Sequence, residues 1–290
     1  MKPPRDNVYT LDLTGAAVGL VCHQPPLAVG LAKWFGRPGA RIEPTIDVGL
    51  EFVDHRDDPH LPTSLLTTKR LTGGGGFDIA DGLITGTYDA RARTGELKIK
   101  AILLEGLLMR IFEQVLYQAH ASARQAAGCG GFLVHSAAVI ADGRGFLFVG
   151  PSESGKTTAA RHSSAWHVLG DEMNLVVPTD DGYLLAGTPF NGTFRDKQPG
   201  SAPLAGIFLL QQAPRHALAT VEPAAAAMAL AAEIMPPVGL DQVPDNDTVP
   251  TMMDLAARMT DKVPVARLEL LPDPGFWNII GERFSLAPSA

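Results

Sequence analysis

Alternation of apolar and polar positions dominates the first hundred residues of the chain. Residues 46–53 alternate in this way, which is typical of a strand with one buried face. Shorter apolar runs predict further strands at 10–13, 16–22, 77–80, 83–88 and 97–101. Turns are predicted at Asp81-Gly82 and Thr94-Gly95, and a short helix at 26–35. We therefore predict a small β-rich domain over residues 1–101.

A helical period replaces this alternation in the next segment. Apolar residues recur three or four positions apart over residues 103–127, and they include Leu104, Leu107, Leu108, Ile111, Val115 and Leu116. A glycine-rich stop follows at Gly128-Cys129-Gly130-Gly131. The pattern predicts one long connecting helix, which we assign to residues 102–130.

Residues 131–290 mix strand and helix patterns, which predicts an α/β core domain. Apolar runs predict strands at 132–140, 146–149, 166–170, 174–178, 182–187, 203–211, 218–221 and 265–270. Helices are predicted at 224–235 and 249–259, with a short terminal helix around 276–280. Asp142-Gly143 is expected to turn the first of these strands back on the second, as an antiparallel hairpin.

A phosphate-loop motif follows the second strand of that hairpin. Residues 150–157 match the pattern G-x-x-x-x-G-K-[ST], between an apolar strand and a predicted helix. Lys156 is predicted to reach the β- and γ-phosphates of a nucleotide, and the Thr157 hydroxyl to bind Mg²⁺. Backbone N–H groups of such a loop bind phosphate oxygens. We predict that the nucleotide contacts the loop and the start of the helix at Gly150, Pro151, Ser152, Glu153, Ser154, Gly155 and Thr158. A glycine turn with a chance lysine is the alternative, and the complete motif disfavours it.

An acidic pair follows the motif closely. Asp171 and Glu172 end the apolar run 166–170, only fifteen residues after Lys156. One carboxylate of such a pair can bind Mg²⁺, and the other can accept a proton from an attacking hydroxyl. A solvated acidic turn is the alternative interpretation.

Three further residues are candidates for the same site. His135 is the only ionisable residue of the apolar run 132–140, so it is either a core histidine or a site residue beside the phosphate loop. Arg195 and Lys197 lie in a polar loop, where a cation can offset the charge of a transferring phosphoryl group. A plain surface loop explains these two cations equally well.

The composition of the chain argues against several classes of protein. The 290 residues are 46% hydrophobic, which suits a globular protein with a sizeable core, and the net charge of −7 argues against a nucleic-acid partner. Two cysteines, Cys22 and Cys129, give neither a disulfide framework nor a structural zinc site. The amino terminus lacks the apolar segment of a signal peptide, and no apolar run approaches membrane-spanning length. We expect a cytoplasmic protein that does not bind a membrane.

Three short segments together resemble a known family. Residues 134–138, 150–157 and 169–172 resemble the catalytic core of HPr kinase/phosphorylase, and more closely the diverged HPr-kinase-related proteins of bacteria. The resemblance covers about residues 132–195. That family shares its core fold with phosphoenolpyruvate carboxykinases. The implied fold class is therefore α/β, with a phosphoenolpyruvate-carboxykinase-like P-loop core over 131–290 and a smaller β-rich N-terminal domain.

The resemblance also implies roles for individual residues. Lys156 and Thr157 would bind nucleotide phosphate and Mg²⁺, Asp171 would be the catalytic carboxylate or a metal partner, and His135 would line the site. Glu172 stands where the family usually has a second aspartate.

The expected function is an ATP-dependent kinase, with ATP and Mg²⁺ as its cofactors. It would transfer the γ-phosphoryl group to a hydroxyl of a protein, peptide or small molecule, and a homo-oligomer is an option. A catalytically inactive nucleotide-binding regulator and a partner-stimulated ATPase are the alternatives.

Overall fold

The computed structural model describes residues 8–13, 16–35, 45–51, 68–71, 77–80, 84–89, 92, 94–100, 116–117, 124, 130–235 and 248–287. The chain divides into two compact units, Met1–Gly130 with Pro237–Pro244, and Gly131–Pro236 with Asp245–Ala290. Each unit contains one β-sheet, so the protein is mixed α/β. In the described part of the chain, no helix is long and apolar enough to cross a membrane.

The first unit contains a seven-stranded sheet and one described helix of several turns. Its elements are β1 Val8–Leu13, β2 Ala16–Cys22, α1 Pro25–Phe35, β3 Thr45–Glu51, β4 Thr68–Leu71, β5 Phe77–Ala80, β6 Ile84–Asp89 and β7 Thr94–Lys100. The strand order is β1-β2-β3-β7-β6-β5-β4. Strand β3 pairs in parallel with β2 and β7, and the other pairings are antiparallel. Most of the described residues of this region therefore belong to strands.

One turn predicted in this unit is wrong. Thr94 and Gly95 belong to β7, and they pair with Asp89 and Tyr88 of β6. A β-carbon at Gly95 would lie 2.5 Å from the carbonyl oxygen of Thr87. Gly95 therefore allows β6 and β7 to approach each other closely, and it does not end the strand.

The predicted connecting helix falls mostly outside the described residues. Of the segment 103–127, the structure describes Leu116, Tyr117 and Arg124, and all three are helical. All three are also buried. The helical assignment for the rest of 102–130 stays a prediction.

In its described residues, the second unit contains eight strands and four helices. Its strands are β8 Phe132–Ala141, β9 Arg144–Val149, β10 His167–Gly170, β11 Met173–Thr179, β12 Gly182–Ala186, β13 Ser201–Gln212, β14 Ala217–Ala219 and β15 Val265–Leu270. Its helices are α2 Lys156–Arg161, α3 Pro223–Ala231, α4 Thr248–Lys262 and α5 Phe276–Phe284. Asp142 and Gly143, with φ values of 51° and 70°, form the predicted hairpin turn between β8 and β9.

The pairings of five strands close into a ring. Strand β8 pairs with β9 and β11, β11 pairs with β12, and β13 pairs with both β12 and β9. Strands β9, β13 and β15 run parallel, so their carboxyl ends meet at one edge of the sheet. The phosphate loop follows β9 at this edge, where open α/β sheets generally bind ligands.

The sheet of the second unit separates two hydrophobic clusters. Leu147 and Val149 of β9 pack in one cluster with residues of α3 and α4, whereas Phe146 and Phe148 pack in the other with residues of α2 and α5. Alternate side chains of a strand point to opposite faces. Burial on both faces explains why β9 reads as a continuous apolar run rather than an alternating one.

The helix predicted at 224–235 ends earlier than the sequence indicated. Helix α3 stops at Ala231, and the following residues pair with β8. The backbone N–H of Met235 donates to the carbonyl of Leu133 at 2.8 Å, and the N–H of His135 donates to the carbonyl of Glu233 at 2.8 Å. These hydrogen bonds with β8 take precedence over the helix propensity of the alanine-rich segment.

Candidate functional site

The phosphate loop, residues 150–155, connects β9 to α2. Gly155 has a φ of 114°, a conformation that a side chain disfavours, and it directly precedes the first helical residue. Glu153 also has a positive φ, 65°, which is uncommon for a residue other than glycine. The first N–H groups of a helix have no acceptors within it, and a loop of this kind allows them to bind an anion.

The ammonium group of Lys156 lies within this loop. The residue is only 7% exposed. Its Nζ donates hydrogen bonds to the carbonyl oxygens of Gly150, at 2.5 Å, and Pro151, at 3.0 Å. The cation is therefore held by backbone carbonyl dipoles inside the loop.

Burial and nearby acids act on Lys156 in opposite directions. Desolvation lowers the pKa of Lys156 below its usual range, because a buried ammonium loses its hydration. Three carboxylates act to raise the pKa and so favour the charged form, and they belong to Glu233, Glu172 and Asp171. Because burial outweighs the carboxylates, an anion bound in the loop would stabilise this cation further.

A hydrogen bond joins the threonine of the phosphate loop to the acidic pair. Thr157 Oγ1 donates to Asp171 Oδ2 at 2.8 Å. The same carboxylate oxygen accepts from the backbone N–H groups of Thr193, at 3.2 Å, and Phe194, at 3.0 Å. Asp171 is 4% exposed, and its Oδ1 has no hydrogen-bond partner among the residues described. A buried carboxylate oxygen without a donor is costly, so a cation at Oδ1 would relieve that cost.

The acidic pair lies at a break between two strands that follow β8. Strand β10 ends at Gly170 and β11 begins at Met173, and both pair antiparallel with β8. Between them, the backbone N–H of Ser136 donates to the carbonyl of Glu172 at 2.8 Å. The pairing with β8 therefore continues across the break and fixes the position of Asp171, which the sequence had placed at a simple strand end.

The oxygen donors at this position fit a magnesium ion that arrives with a nucleotide. The Thr157 hydroxyl and the Asp171 carboxylate are ligands that Mg²⁺ prefers. Within the described ranges, no group of three or more His, Cys, Asp or Glu side chains could hold a metal ion. Mg²⁺ commonly binds one or two protein ligands together with waters and substrate phosphates.

His135 contacts a carboxylate that the sequence did not indicate. Its Nδ1 lies 3.1 Å from Oε2 of Glu233, which is 98 residues away in the chain. The side chain of Glu233 is 11% exposed and that of His135 is 34% exposed. His135 is therefore half-buried, and it lies on β8, the strand with which β10 and β11 pair on either side of the acidic pair.

The two cations that were predicted to offset phosphoryl charge differ in their surroundings. Arg195 is exposed. Lys197 donates hydrogen bonds to the carbonyl oxygens of Thr188, at 2.8 Å, and of Phe190. Lys197 thus holds the loop 188–197 together, whereas Arg195 lies at the surface of that loop.

The other predicted loop residues are divided between surface and interior. Pro151, Ser152 and Glu153 are exposed, and Thr158 is half-buried. The hydroxyl of Ser154 is buried and has no hydrogen-bond partner in the part of the chain that the structure describes. A β-carbon at Gly150 would lie 2.7 Å from this hydroxyl oxygen, so glycine is required for the loop to close.

Three residues of the site carry no signal in the sequence. Glu233 lies at the end of an alanine-rich helix, and Gln212 ends a strand, where its Nε2 donates to the carbonyl of Glu153 at 2.7 Å. Gly192 lies against the carboxylate of Asp171. Only the chain fold brings these residues to the phosphate loop, so no local pattern could have indicated them.

A comparison with protein-family models identifies the family of this chain. The model for SynChlorMet cassette protein ScmC matches residues 104–285, which is more than half of the chain. The chain belongs to the ScmC family. No curated protein matches this ScmC-family chain.

The family suggested by the sequence motifs is therefore wrong. The matching family is ScmC, and the assignment to the HPr kinase-related proteins is withdrawn. The segments that suggested it are a phosphate loop, one strand and an acidic pair, and such local patterns recur in unrelated proteins. The phosphoenolpyruvate-carboxykinase-like core stays a prediction for this ScmC-family chain.

Proposed function

We propose that the chain binds ATP with Mg²⁺ at the phosphate loop and transfers the γ-phosphoryl group to a hydroxyl. The acceptor would belong to a protein, a peptide or a small molecule. The observation that best supports this function is the hydrogen bond between Thr157 and Asp171, together with the unpaired, buried Oδ1 of Asp171. The cytoplasm, which supplies ATP, is the compartment that we propose.

Each residue of the proposed site has a distinct task. The ammonium of Lys156 offsets the negative charge of the β- and γ-phosphates, and the loop N–H groups bind phosphate oxygens. Thr157 and Asp171 would hold Mg²⁺. The ion would neutralise charge on the phosphate oxygens as the bond to the leaving group lengthens.

The low exposure of the site also supports transfer over simple binding. Lys156 and Asp171 are both more than nine-tenths buried. Charges interact more strongly where water is excluded. Phosphoryl transfer depends mainly on positioning and charge stabilisation, and a buried cation and carboxylate supply both.

Calorimetric titration of the chain with ATP, with and without Mg²⁺, tests the metal part of this proposal. Thr157→Val should abolish the gain in ATP affinity that Mg²⁺ produces, because the hydroxyl ligand is lost. Thr157→Ser keeps the hydroxyl and is the matched control, which should retain that gain. An equal response to Mg²⁺ in the Val and Ser variants would refute the assignment of Thr157.

Transfer of label from γ-labelled ATP into a host-cell lysate tests the reaction. Protein and small-molecule fractions are counted separately, and Lys156→Ala serves as the inactive control. Label in either fraction that depends on Lys156 supports the kinase. Tight ATP binding without transfer or hydrolysis would indicate a regulator instead, and phosphate release without a labelled acceptor would indicate an ATPase.

A further inference from the structure

We infer that Glu233 positions His135, and that His135 rather than Asp171 takes the proton from the acceptor hydroxyl. The contact that points to this assignment joins Nδ1 of His135 and Oε2 of Glu233 at 3.1 Å. The inference rests on the proposed phosphoryl transfer and adds to it the identity of the base.

Asp171 is poorly suited to accept a proton. Its Oδ2 already accepts hydrogen bonds from the Thr157 hydroxyl and from the backbone N–H groups of Thr193 and Phe194. Its Oδ1 is the atom that a cation would contact. A carboxylate used in this way on both oxygens has no lone pair placed for the acceptor hydroxyl.

The imidazole of His135 has the opposite arrangement. A carboxylate next to Nδ1 favours the tautomer with the proton on Nδ1, and this leaves the lone pair on Nε2 free to accept a proton. The side chain is 34% exposed, so an acceptor can reach it. His135 therefore combines the correct tautomer with access from solvent.

The carboxylate of Glu233 is held in place by the backbone. The segment 233–235 pairs with β8 through the hydrogen bonds from His135 to the Glu233 carbonyl and from Met235 to the Leu133 carbonyl, each 2.8 Å long. Val134 and Ile234 form the bridge between them. Glu233 can therefore orient the ring without itself contacting the acceptor, as the second residue of a carboxylate–histidine pair does.

Other charges near the pair come from the phosphate loop and the acidic pair. Lys156 interacts electrostatically with Glu233, Glu172 and Asp171. On β11 the residue opposite His135 is the uncharged Met173. The Lys156 cation therefore interacts both with the carboxylate of the pair and with the carboxylate at the proposed metal position.

The proposed step balances in atoms and electrons. The acceptor oxygen forms a bond to the γ-phosphorus while the bond from that phosphorus to the β–γ bridging oxygen breaks. The electron pair of the broken bond stays on that oxygen, which leaves with ADP. The hydroxyl proton moves to Nε2 of His135 and then to solvent.

The tautomer of His135 can be measured without knowing the acceptor. Long-range ¹⁵N–¹H correlation spectra of histidine-labelled protein, with His135→Gln to assign the ring, should show the proton on Nδ1. In Glu233→Gln the ring should lose this preference, whereas Glu222→Gln should leave it intact. Glu222 is an exposed glutamate that begins the same helix and makes no side-chain capping hydrogen bond, so it is the matched control. A proton on Nε2 in the parent chain would overturn the inference.

Kinetics provide the second test. The probe is γ-labelled ATP with a degenerate peptide library centred on serine, and phosphate release to water is measured in parallel. Glu233→Gln should lower kcat by at least about tenfold with ATP affinity retained, because an oriented base contributes about 100-fold or more. Glu233→Asp should recover part of kcat.

Two outcomes separate this inference from the proposed function. Transfer that depends on Lys156 but keeps the parental kcat in Glu233→Gln would overturn the inference alone. A loss in Glu233→Gln that appears as weaker ATP binding with unchanged kcat would also overturn it, because Glu233 would then act through Lys156. Absence of any transfer or hydrolysis by the parent chain would overturn the proposed function and the base assignment together.

Discussion

Gly192 lies so close to the carboxylate of Asp171 that a β-carbon at position 192 would overlap with Oδ1. The same β-carbon would come to 3.1 Å from Oδ2. The two residues after Gly192 donate their backbone N–H groups to Oδ2. The loop 188–197 therefore wraps around the carboxylate, and the absence of a side chain at Gly192 permits the contact.

Gly192→Ala should displace the Asp171 carboxylate. We expect a loss of about 1–3 kcal/mol in the free energy of unfolding, since an extra methyl group enters a closely packed site. We also expect the Mg²⁺-dependent gain in ATP affinity to disappear. Urea denaturation and calorimetric titration measure the two effects.

The matched control for this change is Gly281→Ala. Gly281 lies within α5, and a β-carbon there would meet no atom within 4 Å. This variant should gain up to about 1 kcal/mol, because alanine favours a helix over glycine. Equal stability losses in the two variants would contradict the close contact between Gly192 and Asp171.

Lys156→Met should abolish phosphoryl transfer without lowering stability at neutral pH. Burial lowers the pKa of Lys156 in the folded chain. At neutral pH the charged side chain therefore carries a desolvation cost that methionine lacks. That cost is fully present below the folded-state pKa. The desolvation cost decreases as the pH rises from the folded-state pKa toward the unfolded-state pKa near 10.5. Over this range the unfolded chain keeps a proton on Lys156 that the folded chain has lost.

Denaturation of both chains over a range of alkaline pH measures this linkage. The parent should gain stability relative to Lys156→Met as pH increases between the lowered pKa and about 10.5. Lys262→Met, at an exposed lysine in the last turn of α4, should show no such pH dependence. A parent that loses stability relative to Lys156→Met over this range would show that the ammonium is favoured by its surroundings.

Gln212→Ala should weaken ATP binding about threefold to tenfold, which corresponds to one hydrogen bond of about 1 kcal/mol. The side-chain amide of Gln212 holds the carbonyl of Glu153, the residue with left-handed backbone in the phosphate loop. Gln211→Ala changes the neighbouring residue, whose side chain points to the other face of β13, and it should bind ATP as the parent does. Calorimetry distinguishes the two variants, and equal affinities would refute the supporting role of Gln212.

Ser163→Ala should destabilise the second unit by about 1–3 kcal/mol. Its buried hydroxyl accepts a hydrogen bond from Trp277 Nε1 at 2.9 Å and donates one to the carbonyl of Ala159 at 2.6 Å. The substitution leaves the indole N–H of Trp277 without that acceptor. Urea denaturation followed by tryptophan fluorescence measures the loss, and Ser164→Ala, at the exposed neighbour, should stay within about 0.5 kcal/mol of the parent.

The sequence was sufficient for most strands and for the phosphate loop. The apolar run of β9, the Asp142-Gly143 turn and the glycine-framed loop are local features, so their structure follows from neighbouring residues. The sequence also placed Asp171 near Thr157, because a single short helix and strand connect them. Local signals and short connections therefore account for the positions of Lys156, Thr157 and Asp171.

The rest of the site depends on contacts between distant residues. Glu233 meets His135 because the chain after α3 pairs with β8, and the alanine-rich sequence instead predicted that the helix would continue. Gly192 and Gln212 have no motif around them, and their importance follows from the groups they contact. The turn predicted at Thr94-Gly95 failed for the same reason, because the adjoining strand β6 decides the role of that glycine.

The hydrogen bonds between β8 and the segments of the candidate site determine which parts of the protein can change without disturbing that site. This single strand carries His135, pairs with the strand that precedes the phosphate loop, and hydrogen-bonds to the segments that carry Asp171 and Glu233. The loop 188–197 contributes backbone donors but lies outside this shared strand. Under the proposed function, loops that contact neither β8 nor Asp171 could change to suit a different acceptor, while the residues held in place by β8 keep their arrangement.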